Sequence, residues 1–250
     1  MANSMNFNGV DLSAYGLVIT HSNIPDFKQQ YDSQLIQDTS YGFKPKKPPK
    51  IISLEIAVLA ATRILLDGYL DGIKSAIVTE IAKALKLDTI IGRYWNAKLT
   101  TFEGVYIITG MWEGMMVFQA DDPMAYDNDE TSSNHTLNVT DPKTIEEVTG
   151  GTGYIEPVYT LTAGELLTDK TILIKCINTD EELQWIGTVA NGKELEIDVA
   201  NWTVKNDSVA SMSTVTGQFP RMKPNVTNQI TVTGFGIKGS LNIKYRDSYL

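Results

Sequence analysis

The stretch Val117-Phe118-Gln119-Ala120-Asp121-Asp122-Pro123-Met124-Ala125-Tyr126 marks the point at which a β-rich segment ends. Its first two residues are typical of a buried strand, but Pro123 cannot continue one because it lacks a backbone N–H and its φ is fixed. Asp121 and Asp122 favour a turn, since short carboxylates bond to nearby backbone amides. The sequence therefore predicts that a first domain, residues 1–126, ends here.

Length and composition indicate a globular protein. The chain has 250 residues and a net charge of −9, and this length suits one large or two ordinary domains. No run approaches the roughly 18 apolar residues of a membrane span. The N-terminal residues 1–6 lack the basic and apolar regions of a signal peptide, so we expect synthesis in the cytoplasm without secretion.

The single cysteine, Cys176, excludes an internal disulfide and a cysteine-based zinc site. It lies in an apolar run, residues 171–177, that is typical of a strand. We therefore predict that it is a small buried core residue and not a reactive thiol.

The segment before the C-terminal region, residues 127–150, is polar and acidic. It contains six acidic residues and one basic residue, which is typical of a solvated linker. We predict an interdomain connection here, with a short strand at 136–139 as a further option. Because the chain has no basic stripe, sequence-specific DNA binding is not expected.

The N-terminal region begins with a hairpin signal, because Asn8-Gly9 lies between apolar residues and both tolerate positive φ. Residues 17–20 are typical of the next strand. Residues 22–50 end in Lys44-Pro45-Lys46-Lys47-Pro48-Pro49-Lys50, which cannot form the interior of a sheet. They predict a long exposed arm, which is either a solvated loop or a segment that lies across a neighbouring subunit.

A strand at 51–61 and a helix at 70–86 follow. The strand places alternate apolar residues on one face. The helix is predicted from apolar residues that recur every three or four positions: Leu66, Leu70, Ile73, Ile77, Ile81 and Leu85. Asp71 is the predicted N-cap.

Three further strands complete the predicted first domain. Residues 94–99 and 105–108 are predicted as two strands joined near 102–104, and 111–118 follow. The methionines and tryptophan of this last strand are predicted to fill the core. Together with the single helix, these strands predict an α+β sandwich.

The C-terminal domain, residues 151–250, is predicted to be all-β. Its strands are predicted at 154–161, 171–178, 182–190, 193–199, 202–205, 208–214, 228–235 and 238–246. Asn191-Gly192 predicts a type I′ hairpin between two of them. Turn signals every 8–12 residues indicate a galectin-like or jelly-roll β-sandwich, so the whole chain is expected to be mainly β.

Catalytic motifs are not recognisable in the sequence. Neither His21 nor His135 has an acid and a nucleophile at a known spacing. Asp121 and Asp122 are adjacent in a turn and point apart, which suits a turn and not a glycosidase. The glycines of 150–153 precede no helix that could bind phosphate. We predict no catalytic, cofactor-binding or metal-binding residue, no cofactor, and no enzymatic activity.

The order of these elements and two motifs resemble siphophage distal tail proteins, the baseplate hub components at the tip of a long non-contractile tail. The first motif is the opening stretch, with its phenylalanine strand end, Asp-Pro turn and following tyrosine. The second is Gly217-Gln218-Phe219-Pro220-Arg221-Met222-Lys223-Pro224-Asn225-Val226-Thr227-Asn228-Gln229-Ile230, followed by a last strand that ends at Arg246. The resemblance covers nearly the whole chain.

The resemblance implies a structural role in the virion. Such proteins form a hexameric ring whose N-terminal domains surround a channel for DNA, while galectin-like C-terminal domains face outward. The implied partners are other copies of the chain, the tail tube protein and the tail-associated hub protein, with tape-measure and receptor-binding proteins as further options. The acidic composition suits DNA that passes without binding, although ordinary solubility explains it equally well.

A carbohydrate-binding β-sandwich that aids host attachment is the alternative. Trp185 and Trp202 could stack on sugar rings, although core packing in strands is the favoured interpretation of both. Some relatives of the resembling family carry an inserted carbohydrate-binding module, and this chain has no spare length for one.

Overall fold

The computed structural model describes residues 3–25, 48–139, 142–234 and 236–250. Contacts divide the chain into two compact units, one of Met1–Asn128 with Leu250 and the other of Asp129–Tyr249. Antiparallel strands dominate both, which confirms the prediction of a mainly β fold. No helix in the described ranges has both the length and the apolar character needed to cross a membrane.

The first unit is one antiparallel sheet with one α-helix among its described residues. Its strands are β1 (Met5–Phe7), β2 (Val10–Asp11), β3 (Leu17–Asn23), β4 (Lys50–Leu59), β5 (Lys83–Leu87), β6 (Arg93–Ile108), β7 (Met111–Ala120) and β8 (Ala125–Asp127). The helix is α1 (Arg63–Ile77), and a 3-10 turn spans Leu12–Tyr15. The strand order is β2-β1-β5-β6-β7-β4-β3, and β8 pairs with β6.

The predicted hairpin at Asn8-Gly9 is confirmed. Both residues have positive φ, 53° and 82°, as a type I′ turn requires. Phe7 pairs with Val10 across the turn, and the Phe7 ring packs 5.3 Å from the Phe118 ring in the core.

The helix begins seven residues earlier than predicted. Thr62 is its N-cap, and its Oγ1 accepts a hydrogen bond of 3.2 Å from Leu65 N; the prediction that Asp71 caps the helix was wrong. Gly72 lies inside the helix, where a Cβ would overlap the Tyr15 ring. Close packing against this ring therefore explains a glycine that weakens helix propensity.

The helix also ends earlier than predicted. Its first four predicted stripe residues are buried, but Ile81 is exposed. Leu85 is buried for another reason, because it lies in β5 and pairs with Phe7 and Trp95. The spacing of four residues between Ile81 and Leu85 therefore does not reflect a helix. Pairing in the sheet decides the conformation of this segment, and the local apolar pattern does not.

The two strands predicted at 94–99 and 105–108 are one continuous strand, β6. Gly104 lies in its middle opposite Gly114 of β7, and the Trp112 ring covers both glycines. The glycines therefore make room for a buried tryptophan and do not form a turn. Trp112 and Met116 are buried, which confirms the prediction that they fill the core.

The second unit is a sandwich of two antiparallel sheets. Its strands are β9 (Thr131–Val139), β10 (Lys143–Val148), β11 (Val158–Ala163), β12 (Leu167–Cys176), β13 (Glu181–Val189), β14 (Glu194–Asp198), β15 (Thr203–Asn206), β16 (Val209–Ala210), β17 (Val215–Gly217), β18 (Thr227–Thr233) and β19 (Ile237–Tyr245). The short strand β20 (Ser248–Tyr249) follows β19 in the chain and lies in neither of these two sheets. One sheet has the order β10-β18-β12-β13-β17, and the other has the order β16-β15-β14-β11-β19-β9. A 3-10 turn spans Met212–Thr214, within the strand predicted at 208–214.

The interpretation of 127–150 as a linker was wrong for most of its length. β9 pairs along β19, and β10 pairs along β18, so the segment supplies an edge strand to each sheet. Leu137 and Ile145 contribute to the core of the second unit. Polar residues alternate with these few apolar ones because one face of each antiparallel sheet packs on the core and the other faces solvent.

The type I′ hairpin predicted at Asn191-Gly192 was also wrong. Gly192 has a φ of 72° but Asn191 does not have a positive φ. The flanking strands, β13 and β14, belong to different sheets, so the turn carries the chain from one sheet to the other. Cys176, by contrast, is buried in the core as predicted.

The predicted exposed arm, residues 22–50, lies mostly outside the described residues. Of its ends, Ser22 and Asn23 belong to β3 and Lys50 begins β4. Lys50 is buried, with its Nζ 5.8 Å from the centre of the Trp95 ring.

Candidate interaction surfaces

The four-stranded part of the first sheet, β3-β4-β7-β6, has one covered and one open face. On the covered face lie buried residues such as Leu54, Ile56 and Phe118, together with the helix. On the open face lie the alternate residues, because successive side chains of a strand point to opposite sides. We call this the outer face.

Carboxylates are grouped on the outer face. Met115 of β7 pairs with Glu55 of β4 on one side and with Glu103 of β6 on the other. Glu113, two residues before Met115, faces the same way, and all three carboxylates are exposed. Lys98 faces the same way where the pairing of β6 with β7 begins, and its Nζ donates to the Glu80 carbonyl oxygen at 2.9 Å. The centre of the outer face is therefore acidic.

Both ends of this four-stranded part present strand edges. β6 pairs with β7 from Lys98 to Ile108, and within the described ranges no strand pairs with its other edge beyond Ala97. At the opposite end, β3 pairs with β4, and the outer edge of β3 beyond Ile19 has no strand partner in the part of the chain that the structure describes. Unpaired edges of this kind offer N–H and C=O groups to another strand.

The C-terminal end of β6, whose edge away from β7 has no strand partner among the described residues, also exposes apolar side chains. Val105 is 62% exposed and Ile108 is 66% exposed.

Tyr106 lies on the opposite face and joins the β6–β7 hairpin to the helix, because its hydroxyl donates to Asp67 Oδ1 at 2.7 Å. Arg63 lies 3.3 Å from the centre of the Tyr106 ring and donates from Nε to Asp67. The hydrogen bond from Tyr106 lowers the pKa of Asp67, so this contact favours the ionised carboxylate.

Four planar side chains of the second unit form two pairs whose members lie face to face. Trp202 stacks on Phe219, with ring centres 5.9 Å apart and planes 13° apart. Two residues further along the chain, Arg221 lies 4.9 Å from the centre of the Tyr154 ring. Its Nε donates to Glu181 at 2.9 Å, which raises the pKa of the guanidinium. We call these four residues, Trp202, Phe219, Arg221 and Tyr154, the planar row.

The two tryptophans considered for sugar stacking have different environments. Trp185 is buried in the core and donates from Nε1 to Ser211 Oγ at 3.0 Å, as the core interpretation predicts. Trp202 is 37% exposed and lies in the turn between β14 and β15. The prediction that Trp202 is a core residue of a strand was therefore wrong.

His135 lies in a polar cluster that links the two edge strands. Glu147 of β10 is buried. Its Oε1 accepts a hydrogen bond from Ser133 Oγ and lies 2.8 Å from His135 Nε2 of β9. A catalytic triad needs the histidine to contact acid and nucleophile through different nitrogens. Here His135 uses the same nitrogen for both, because its Nε2 also lies 3.2 Å from Ser133 Oγ. The arrangement is therefore not that of a triad, and the cluster links the two edge strands.

Comparisons with known proteins identify the fold. No protein-family model and no curated protein matches the sequence. Among solved structures, the chain is similar to the Dit (gp 19.1) protein of phage SPP1, described as a paradigm of the hub adsorption apparatus in phages that infect Gram-positive bacteria. The TM-score is 0.73 at 12% identity, over 100% of both chains.

The chain has the fold of a distal tail protein. The resemblance seen in the sequence is thereby confirmed at the level of the fold. Two structures of the phage P2 baseplate also match, at 11% and 10% identity over 98% and 97% of both chains. Their TM-scores of 0.44 and 0.47 are too low to support a conclusion about the fold.

Within this distal tail protein fold, the remaining sequence candidates lie apart. His21 is exposed on β3 and pairs with Glu55. Asp122 accepts hydrogen bonds from Met124 N and the Tyr126 hydroxyl, as expected for a turn. In the described residues, no group of three or more acidic, histidine or cysteine side chains could hold a metal ion. The prediction that the chain has no catalytic residue remains a prediction.

The glycines at 150–153 have a local structural role. Gly150 N donates to Asp247 Oδ1 at 2.9 Å, and a Cβ on Gly151 would overlap the Ser248 carbonyl oxygen. Periodicity alone did not reveal the unpaired edges or the planar row, because pairing and stacking join residues that are distant in the sequence. The exposed Trp202 could have been suspected from its position after Asp198 and Asn201, which favour turns.

Proposed function

We propose that this chain is a structural protein of a bacteriophage tail tip, in which six copies form a ring with a channel for DNA. The observation that carries the proposal is the agreement with SPP1 Dit over the full length of both chains. The number six and the channel come from the resemblance to distal tail proteins. The proposed role is assembly and not catalysis.

The open edges of the first sheet support a ring. β6 of one copy and β3 of the next are different surfaces, so their pairing would be head-to-tail, and head-to-tail contacts generate rings when the rotation closes. The exposed apolar residues Val105 and Ile108 would gain cross-strand neighbours in such a contact.

The acidic outer face supports a channel through which DNA passes. If β6 and β3 of successive copies pair, their outer faces form one continuous surface that contains Glu55, Glu103 and Glu113. Carboxylates repel phosphates and form none of the cation contacts that hold DNA. A channel lined in this way would let DNA slide without retaining it.

The proposed location is the tip of the virion tail, after synthesis in the host cytoplasm. The proposed partners are the tail tube protein and the tail-associated hub protein, with tape-measure and receptor-binding proteins as further candidates. The apolar end of the β6–β7 hairpin and the exposed Ile64 of the helix offer a surface to such partners.

The ring is tested by electron microscopy and native mass spectrometry of the full chain. We expect rings from the wild-type chain, alone or mixed with its tail tube and hub partners. The double variant Val105→Lys/Ile108→Lys is expected to remain folded but monomeric, because both residues are exposed in the single chain and lysine blocks edge pairing.

The matched control is Val209→Lys, which changes a valine of similar exposure on the second unit. This variant should form rings as the wild-type chain does. A wild-type chain that stays monomeric with every tail partner would contradict the proposal, and rings from the double variant would contradict the role of β6.

A further inference from the structure

Trp202 has an unusual backbone conformation. Its φ is +54°, in the left-handed region that a bulky side chain rarely adopts. The other non-glycine residues with positive φ in the described ranges are all Asn, Asp or Ser, which tolerate this region more easily. Strained residues of this kind cluster at functional sites, so the conformation of Trp202 motivates a functional hypothesis.

The exposure of Trp202 sets it apart from the other tryptophans. The remaining three, Trp95, Trp112 and Trp185, are buried. Trp202 has Phe219 stacked on one ring face and still exposes 37% of its surface. Phe219 in turn packs against the core of the second unit, so the exposed indole is rigidly supported.

The planar row continues from this pair. Phe219 and Arg221 are partly exposed, whereas Pro220 and Met222 between and beyond them are buried. Because exposed and buried residues alternate here, Phe219 and Arg221 lie on the same, outward side of the segment. The backbone N and Nε of Arg221 both donate to Glu181, at 2.8 and 2.9 Å, which fixes the guanidinium beside Tyr154. The row is thus preorganised along its length.

The planar row suits a ligand that combines an apolar ring face with hydroxyl groups. A sugar ring stacks its C–H face on an aromatic ring, and neighbouring polar groups bind its hydroxyls. Asn201 lies in the same turn as Trp202 and donates a hydrogen bond of 2.7 Å to Asp198 at the end of β14. Neither residue is buried. The nearby carboxylates of Asp198 and Glu181 disfavour an anionic ligand. We propose that the planar row binds a neutral saccharide chain.

The experiment uses the full chain and the fluorescence of its tryptophans. Because the other three tryptophans are buried, quenching by acrylamide reports mainly on Trp202. The probes are neutral hexasaccharides of glucose, galactose and N-acetylglucosamine. We expect at least one of them to protect the indole, so that most of the acrylamide quenching is lost at saturation. Protection by none of the three overturns the proposal.

Two variants make the result specific, with binding measured by calorimetry. Trp202→Asn should abolish binding without loss of folding, because asparagine tolerates the left-handed conformation. Trp185→Phe, at the buried tryptophan, should bind as the wild-type chain does. Binding that survives Trp202→Asn contradicts the site. A tail protein that binds the row in place of a saccharide would also overturn the proposal. Ring formation by Trp202→Asn would show that the two proposals are independent.

Discussion

At the residue scale, Tyr245 connects β19 to the end of β10. Its hydroxyl donates to the Val148 carbonyl oxygen at 2.9 Å and lies 3.5 Å from Glu147 Oε2. Burial, followed by the negative charge of Glu147, raises the pKa of Tyr245 to about 12. The folded state is therefore more stable when the Tyr245 phenol is protonated.

This shift predicts a loss of stability in alkali. A raised pKa in the folded state means that the folded state binds the proton more tightly than the unfolded state does. The contribution of Tyr245 is therefore complete below pH 10 and is lost between pH 10 and about 12. Urea unfolding at pH 8 and pH 11, followed by circular dichroism, should show a smaller loss for Tyr245→Phe than for the wild-type chain.

Equal losses in the two proteins would contradict the assignment. Some loss should remain in Tyr245→Phe, because burial also raises the pKa of Tyr159 well above its usual range.

At the element scale, the position of the helix depends on one cap. Thr62 accepts hydrogen bonds from Leu65 N at its side chain and from Leu66 N at its carbonyl oxygen. Its side chain is exposed, so a substitution would change the cap without disturbing the core. The capping hydroxyl satisfies an N–H group that has no partner within the helix.

We expect Thr62→Ala to reduce the free energy of unfolding by about 1 kcal/mol, the usual cost of losing a threonine or serine cap. Thr62→Ser keeps the hydroxyl and should stay close to the wild-type value. Equilibrium unfolding in urea measures both. A similar loss from Asp71→Ala would instead support the cap that the sequence predicted.

At the scale of the whole molecule, β9 and β10 decide where the second unit begins. Each closes one sheet, and Leu137 and Ile145 complete its core. A domain that begins at residue 151 lacks both strands. It would therefore expose the edges of β19 and β18 together with part of the core.

This boundary can be tested with two fragments. Residues 129–250 should be soluble and unfold cooperatively in circular dichroism. Residues 151–250 should aggregate, because unprotected edge strands pair with other chains. Comparable solubility and melting of the two fragments would show that β9 and β10 are not needed and would restore the linker interpretation.

The local pattern was sufficient for features that depend on neighbouring residues. The Asn8-Gly9 hairpin, the alternation of β4, the buried Cys176 and the mainly β class all follow from short-range conformational preference and from polar and apolar periodicity. The order of these elements was also sufficient to suggest the distal tail protein fold, which the agreement with SPP1 Dit then confirmed.

Tertiary packing decided what depends on residues far apart in the chain. Leu85 continues the helical spacing of the apolar residues but pairs in a sheet. Gly104 was predicted to join two strands, but it lies within one strand and makes room for Trp112. The acidic segment predicted as a linker forms two edge strands. Asn191-Gly192 turns the chain between sheets instead of forming a hairpin. The open edges and the planar row exist only in the folded chain, because hydrogen bonding and ring stacking between distant residues leave no period in the sequence.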